Sequence, residues 1–361
     1  MIDTIRLKIG LTNDNIKGIK GNSPILYQKI DIQNSQILYK NIKDEIKLGS
    51  YIDFVALFID SFNNLFVELS IPKFYNSQNI YLISNNKIIS FLTLLKEDLE
   101  LYFNSEIIDI EMWELQRIDI CYAWRFDSQT DLDDIIEVLR PFAIQRKRNY
   151  QYKSSFMSVG ENYSIKFYDK NKEYISHDFK RIYKQNKDLA FMYDEISKNV
   201  LRFEVTLRKE YLKQMNYDIN TFTDEYFVLN LLDYFLKKFV GVNNLKVMDK
   251  KEVLYQLMNY YSNKKAIRLW QFYRDFSDPS LKILLSSLYN RSTISRNLSE
   301  LRSSSVGLLS DTLSFDLSIP SDRCVNLWDY HDSLSGESQL SVPPLSFDLP
   351  LPDSYEWDDR R

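Results

Sequence analysis

Val200–Arg208 contains the most constraining stretch of the chain, because from Leu201 onward its alternation has no exception. Leu201, Phe203, Val205 and Leu207 fall on one parity, and Arg202, Glu204, Thr206 and Arg208 fall on the other. Successive strand side chains point to opposite faces, so this pattern reads as a strand with one buried and one polar face. The same logic applies to Ile2–Ile9, Tyr51–Phe58, Leu65–Ser70, Leu115–Trp124 and Tyr163–Tyr168. Helical stripes lie between them. Asn86–Phe103 repeats apolar residues at Ile88, Ile89, Leu92, Leu95 and Leu99, and Asp131–Leu139 and Lys187–Ser197 are shorter. Half-apolar strands interrupted by helices imply an α+β fold, an antiparallel sheet with helices on one face.

After Glu210 the pattern changes. Thr223–Phe239, Lys250–Tyr261, Lys264–Phe276, Pro279–Tyr289 and Ser292–Leu301 all read as helices, so an all-α domain follows the sheet domain. The expected division is residues 1–212, 213–308 and 309–361. The last two helices, broken at Asn290-Arg291-Ser292, resemble a helix-turn-helix, which would offer Arg291, Arg296 and Asn297 to DNA. An ordinary helical hairpin with a serine cap fits the same residues. From Leu309 onward there are 11 acidic and 3 basic residues and five of the nine prolines, the composition of a disordered acidic tail. The residues before it carry 43 basic against 39 acidic groups, a mild surplus that alone says little about nucleic acid.

Several classes fall away. No apolar run approaches the roughly 20 residues that cross a bilayer, so no membrane role is expected. Cys121 and Cys324 are too few for a disulfide framework and suit a reducing cytoplasm. With two histidines, His177 and His331, any divalent ion must be held mainly by carboxylates. No phosphate-binding Gly-x-x-x-x-Gly-Lys-Ser/Thr loop exists, so the chain has no nucleotide-driven motor of that type.

If the strands share a sheet, one face gathers Glu68, Arg117, Asp119, Arg202, Glu204, Arg208, Lys166 and Tyr168. Carboxylates bind a hard cation, the cation polarises a phosphate oxygen, and a phenolate is a competent nucleophile. That set suits metal-assisted phosphoryl transfer on Mg2+ or Mn2+. The bland alternative is a solvated face on which the carboxylates merely pair with arginines, each pair contributing under about 1 kcal/mol.

Met-Ile-Asp at 1–3, Val-Glu-Leu-Ser at 67–70, Arg-Ile-Asp at 117–119, Lys-Phe-Tyr-Asp-Lys-Asn-Lys-Glu at 166–173 and Leu-Arg-Phe-Glu at 201–204 stand in a telling order. In that order and spacing they resemble the gene II/gene X replication initiators of filamentous phages and related plasmids. The resemblance covers Met1 to about Leu212 well and continues more weakly to about Leu308. It implies a rolling-circle initiator that nicks one strand of a double-stranded origin, joins a tyrosine to the 5′ phosphate, leaves a 3′-OH primer and later religates the displaced strand. By that resemblance the nucleophile is Tyr168, Lys170 offsets charge on the phosphate, and Glu173 would join the metal site. Glu68, Asp119 and Glu204 match acidic positions of the family's motifs, and their role as metal ligands follows from the shared strand face. Lys166, Arg202 and Arg208 would contact DNA, with a structural role for Arg202 also open. Tyr163 and Tyr174 remain rivals for the nucleophile, Tyr163 being disfavoured by its parity. The partners implied are origin duplex, displaced single strand, and the host helicase and replication machinery in a bacterial cytoplasm. The alternative function is a non-enzymatic DNA-binding replication or regulatory protein.

Overall fold

The structure, a computed structural model, describes residues 1–15, 26–30, 37–42, 56–60, 62–76, 78–139, 148–152, 154–240, 247–248, 250–277, 281, 284–304, 306, 309–310, 317 and 319. A ten-stranded, wholly antiparallel sheet organises it. In chain order its strands are β1 (Ile2–Gly10), β2 (Leu26–Ile30), β3 (Ile37–Ile42), β4 (Ala56–Asp60), β5 (Asn64–Ser70), β6 (Glu114–Arg125), β7 (Arg148–Tyr152), β8 (Ser155–Val159), β9 (Tyr163–Asp169) and β10 (Val200–Arg208). Across the sheet they run β2-β3-β4-β5-β1-β6-β10-β9-β8-β7. The fold is α+β, as the alternation requires. Tyr51–Phe58 is represented only from Ala56, since residues 51–55 lie outside the described set.

The helices are α1 (Ile71–Asn76), α2 (Lys87–Phe103), α3 (Gln129–Leu139), α4 (Lys170–Tyr174), α5 (Lys180–Gln185), α6 (Lys187–Ser197), α7 (Lys209–Met215), α8 (Glu225–Val240), α9 (Lys250–Tyr260), α10 (Asn263–Ser277), α11 (Leu285–Leu288) and α12 (Arg291–Ser303). A π-helical turn, Ile175–Phe179, joins α4 to α5. Turns follow from local chemistry. Asp60 accepts the backbone N–H groups of Phe62 and Asn64 and so shapes the β4–β5 hairpin. The four described non-glycine residues with positive φ, Asn63, Asn104, Asn199 and Asn216, are all asparagine. That side chain tolerates the left-handed region better than most, so a glycine-poor chain uses it to end α2 and α7.

The apolar parity packs as expected. Phe167 stacks between Phe203 and Phe156, with ring centroids 4.7 and 5.0 Å away, and Phe239 of α8 lies 5.3 Å from Phe167. Phe91, Leu92, Leu95 and Leu99 of α2 are fully buried in the same core. Burial of this many large apolar side chains, at roughly 1.5–3 kcal/mol each, holds the sheet and helices together.

The opposite face departs from the expectation of helices on one side only. At the centre of the sheet it too is buried: Asp119, Ser164, Tyr168, Arg202 and Thr206 are all shielded from solvent. Segments Gln78–Ile80 and α4 lie against it: the carbonyls of Asn79 and Ile80 accept from Arg202, the Asn79 amide donates to Asp3, and Lys170 of α4 holds Asn79. A polar sheet face can be covered only where such partners exist.

Met1–Cys324 forms one compact unit. Helices α8, α9, α10 and α12 contribute Phe235, Leu257, Phe272 and Leu301 to the same apolar core as the sheet. Leu309–Ser310 pairs in parallel with Val247–Met248, and Leu317 and Ile319 are buried, so these first residues of the expected tail belong to the fold. The rest of residues 311–361 lies outside the described residues, and with it the Ser-Phe-Asp-Leu sequence that occurs at both 314–317 and 346–349, apart from Leu317. Among the described residues, no helix is long and apolar enough to cross a membrane.

Candidate active site

Adjacent strands β5, β1, β6, β10 and β9 lay their polar residues across the sheet in a continuous stripe. Arg6 faces Glu68 and Arg117, Asp119 faces Thr206, Glu204 faces Lys166, and Arg202 faces Tyr168. Tyr168 is 3% exposed, and its hydroxyl donates to Glu204 Oε2 at 3.0 Å. Lys166 Nζ stands 4.1 Å from its ring centroid and Lys170 Nζ 6.0 Å away. Burial, reinforced by the Glu204 charge, pushes the phenol well above its ordinary pKa. At rest it is therefore a protonated donor with its acceptor already in place.

The strand ends immediately after the tyrosine. Asp169 accepts the N–H groups of Asn171 and Lys172, which caps α4 and turns the chain. Lys170 consequently opens a helix rather than extending the strand. It is fully buried and donates to Asn79 Oδ1 at 2.7 Å and to Glu173. Burial drives the Lys170 ammonium below its ordinary pKa, against the pull of Glu173. Burial raises the Glu173 carboxyl, but Lys170 outweighs it and brings the group down to about 2.

This pair makes a pH prediction. A carboxyl depressed in the folded state contributes stability above its unfolded pKa and loses it as pH falls through the folded value. Stability tied to Glu173 should thus fade between about pH 4.5 and about 2. Glu173→Gln should abolish that component of the acid-unfolding profile. At neutral pH it should destabilise by on the order of 3 kcal/mol, by stranding a buried ammonium. Thermal melts of both proteins across pH measure this.

Arg117 separates two of the expected metal ligands. It donates to Glu68 Oε1 at 2.8 Å and grips Asp119 through two nitrogens at 2.9 and 2.6 Å. Even so, burial and the neighbouring Glu204 charge push Asp119 up to about 7. Among the described residues, no three His, Cys, Asp or Glu side chains converge to hold a metal ion. The four-carboxylate cluster of Glu68, Asp119, Glu204 and Glu173 is not formed, because Arg117 holds Glu68 and Asp119 and Lys170 holds Glu173. The two members that still repel each other are the pair Asp119 and Glu204, with Asp119 also gripped by Arg117. The chemistry of this pair fits Mg2+, which commonly takes one or two protein carboxylates and completes its shell with water and phosphate oxygens.

The expected DNA-contact residues divide. Lys166 is half-buried on the stripe, and Arg208 donates to Gly160 O at 2.8 Å and Ser164 Oγ at 3.3 Å while still partly exposed. Arg202 corrects to an internal role. It is fully buried, and its guanidinium donates to the backbone carbonyls of Asn79 and Ile80 at 3.1 and 2.7 Å, which leaves it no route to a ligand. Asn297 also corrects: it is 2% exposed beside buried Leu298 and Leu301, whereas Arg296 on the next face of α12 is exposed. Arg291 opens α12, its side chain outside the described set. Tyr163 sits on the helix-covered face, 4.9 Å from Phe235. Tyr174 is buried and donates to Ala190 O at 3.0 Å.

One site residue escaped the sequence reading. Asp3 is 4% exposed and accepts Ser70 Oγ at 2.8 Å and Asn79 Nδ2 at 3.2 Å, so Asn79 bridges it to Lys170. Strict alternation back from Ile9 assigns Asp3 to the apolar face. A register shift between Ile2 and Ile5 on the β1–β6 ladder reverses that parity. The signal available in sequence was the Met-Ile-Asp motif itself.

A tyrosine backed by a carboxylate, with a buried lysine one turn of chain away, is the arrangement to which the family comparison speaks. A family model described as the N-terminal region of the phage gene II replication-associated protein matches residues 1–230. The chain belongs to this family. Membership places it among the filamentous-phage gene II type of replication initiators and with phage replication. The matched span contains all ten strands, Tyr168 and every carboxylate of the stripe, and ends within α8. No curated protein matches the chain.

Proposed function

We propose that the chain is a rolling-circle replication initiator that nicks one strand at a double-stranded origin and later rejoins the displaced strand. The observation that carries this reading is the Tyr168–Glu204 hydrogen bond, on the polar stripe of a replication-family sheet. Tyr168 Oη attacks the scissile phosphorus as its proton passes to Glu204. A bond forms between Oη and phosphorus, and the bond from phosphorus to the 3′ oxygen breaks. The product is a 5′-phosphotyrosine and a 3′ oxygen that gains a proton and primes synthesis. Lys170, buried on Asn79 and Glu173 and 6.0 Å from the Tyr168 ring centroid, would offset charge on the pentavalent phosphate through space and not by contact. Mg2+ or Mn2+, held by Asp119 and Glu204 with Glu68 beyond Arg117, would polarise a phosphate oxygen and stabilise the leaving oxygen. Ligation reverses these steps and needs no nucleotide, because the phosphotyrosine conserves the bond energy.

Duplex recognition is assigned to the C-terminal helices, with Arg296 of α12 on the accessible side, and Lys166 and Arg208 flank the phosphate at the sheet. The partners are origin duplex and displaced single strand, with the host helicase and replication machinery acting in the bacterial cytoplasm. A non-enzymatic DNA-binding protein is the second reading, and the engagement of Glu68 and Asp119 by Arg117 is the observation that favours it. Incubation with a supercoiled origin plasmid and Mg2+ should yield a covalent adduct, absent in EDTA, whose DNA-bearing peptide maps to Tyr168 by mass spectrometry. Mapping to Tyr163 or Tyr174, or finding no adduct with any divalent ion, overturns the nicking mechanism.

A further inference from the structure

The nucleophile strand leads through α4 and the π-helical turn into a surface that the nicking reaction does not use. On it Phe179, Tyr183 and Phe191 form a ring cluster, with centroids 5.7 to 5.8 Å apart in all three pairs. Phe179 and Tyr183 are stacked, and Phe191 meets each at a steep angle. The cluster is not core. Phe191 is 44% exposed and the adjacent Met192 41% exposed. Lys184 and Lys187 are exposed beside it, and Lys187 Nζ stands 5.5 Å from the Tyr183 ring centroid. From Phe179 to Met192 the chain carries four Lys or Arg residues against one carboxylate.

This surface is tied rigidly to the site. Asn171, three residues beyond Tyr168, donates to Asp194 Oδ1 at 2.7 Å and to Ser197 Oγ at 2.9 Å, both on α6. The Tyr174 hydroxyl holds Ala190 O one residue before Phe191. At about 1.5 Å of rise per helical residue, the cluster lies within a few nucleotides' reach of Tyr168.

Exposed aromatic rings among lysines match the chemistry of single-strand binding, where bases stack on rings and cations track the phosphates. Duplex DNA buries its base faces and offers such rings nothing, whereas a single strand presents bases to the rings and phosphates to the lysines. We propose that Phe179, Tyr183 and Phe191, with Lys184 and Lys187, form a stacking platform for single-stranded DNA, the strand exposed next to the nick. The proposal rests on the nicking reading for its place in the reaction, but the binding it describes is independent of cleavage.

The test is anisotropy of a fluorescein-labelled oligothymidylate titrated with the full chain in EDTA, where metal-dependent cleavage is silent. Phe191→Ala should weaken binding about tenfold, Phe191→Trp should restore it, and Leu101→Ala, an exposed apolar residue of α2, should have no effect. Lys184→Glu combined with Lys187→Glu should weaken binding further and flatten its salt dependence. Melting temperatures establish that each variant is folded. A folded Phe191→Ala protein with affinity within about twofold of the parent overturns the platform, including the case in which the surface serves a protein instead. If the adduct forms normally and the platform variants bind normally, only this inference falls. If no adduct ever forms and Phe191→Ala still weakens binding, the platform stands and the nicking mechanism falls.

Discussion

Replacing Tyr168 by Phe should abolish the covalent protein–DNA adduct while leaving the protein folded. The substitution removes a single oxygen. Its hydrogen bond to Glu204 is partly shielded and contributes on the order of 1–2 kcal/mol to stability, so the melting temperature should fall by only a few degrees. The ring keeps its place beneath Lys166 and its packing on the sheet. Chemistry is another matter, because no neighbouring phenol can take over. Tyr163 is turned to the opposite face against Phe235, and Tyr174 is fixed to the carbonyl of Ala190. Labelled-strand capture on a denaturing gel measures the loss. An adduct persisting in Tyr168→Phe would mean that the nucleophile lies elsewhere. Loss of the adduct with loss of the folded state would be excluded by circular dichroism.

Replacing Arg202 by Met should unfold or severely destabilise the protein, by about 3–5 kcal/mol. The guanidinium is fully buried and clamps the carbonyls of Asn79 and Ile80 onto β10. Without it two carbonyls lose their donors in a dry environment, and the segment that presents Asn79 to Lys170 and Asp3 loses its anchor. A DNA-contact arginine would behave differently: its loss would weaken binding and reduce the salt slope with the melting temperature unchanged. Urea denaturation of Arg202→Met beside Arg208→Met separates the two cases. Arg208 is partly exposed and bonded to the loop carbonyls of Gly160 and Glu161 and one hydroxyl, so its loss should cost about 1 kcal/mol.

The architecture was legible because strand parity is a local property. Val200–Arg208 reads as one strand and is one, and Leu65–Ser70 and Leu115–Trp124 are each extended by a single residue at one or both ends. Strands β7 and β8 were not legible. Arg-Asn-Tyr-Gln-Tyr and Ser-Phe-Met-Ser-Val are short and mix polar with aromatic residues, so only the pairing of β7 on β8 and of β8 on β9 makes them strands. The site was half legible. Parity brings Tyr168 and Glu204 together, as the hydrogen bond between them records. Parity could not say that Arg117 would stand between Glu68 and Asp119, that Lys170 would turn inward, or that Arg202 would be sealed beneath a loop. These outcomes depend on Gln78–Ile80 and α4 folding over the face, which are long-range events. Asp3 was hidden by one register irregularity, since an extra residue in a ladder inverts every parity beyond it.

The commitments of Tyr163 and Tyr174 have a consequence for how a round of replication must be counted. On the proposed mechanism, a segment with one tyrosine against Glu204 can carry one DNA end at a time. A round involves two strand exchanges, one to open the circle and one to close the product. While Tyr168 is joined to the first 5′ end, the same copy has no second acceptor of this kind for the next cut. Closure therefore calls either for a second copy of the protein at the origin or for discharge of the first end before another is taken. The dependence of product circles on protein concentration distinguishes the two: second order for paired copies, first order for a single copy that empties and reloads.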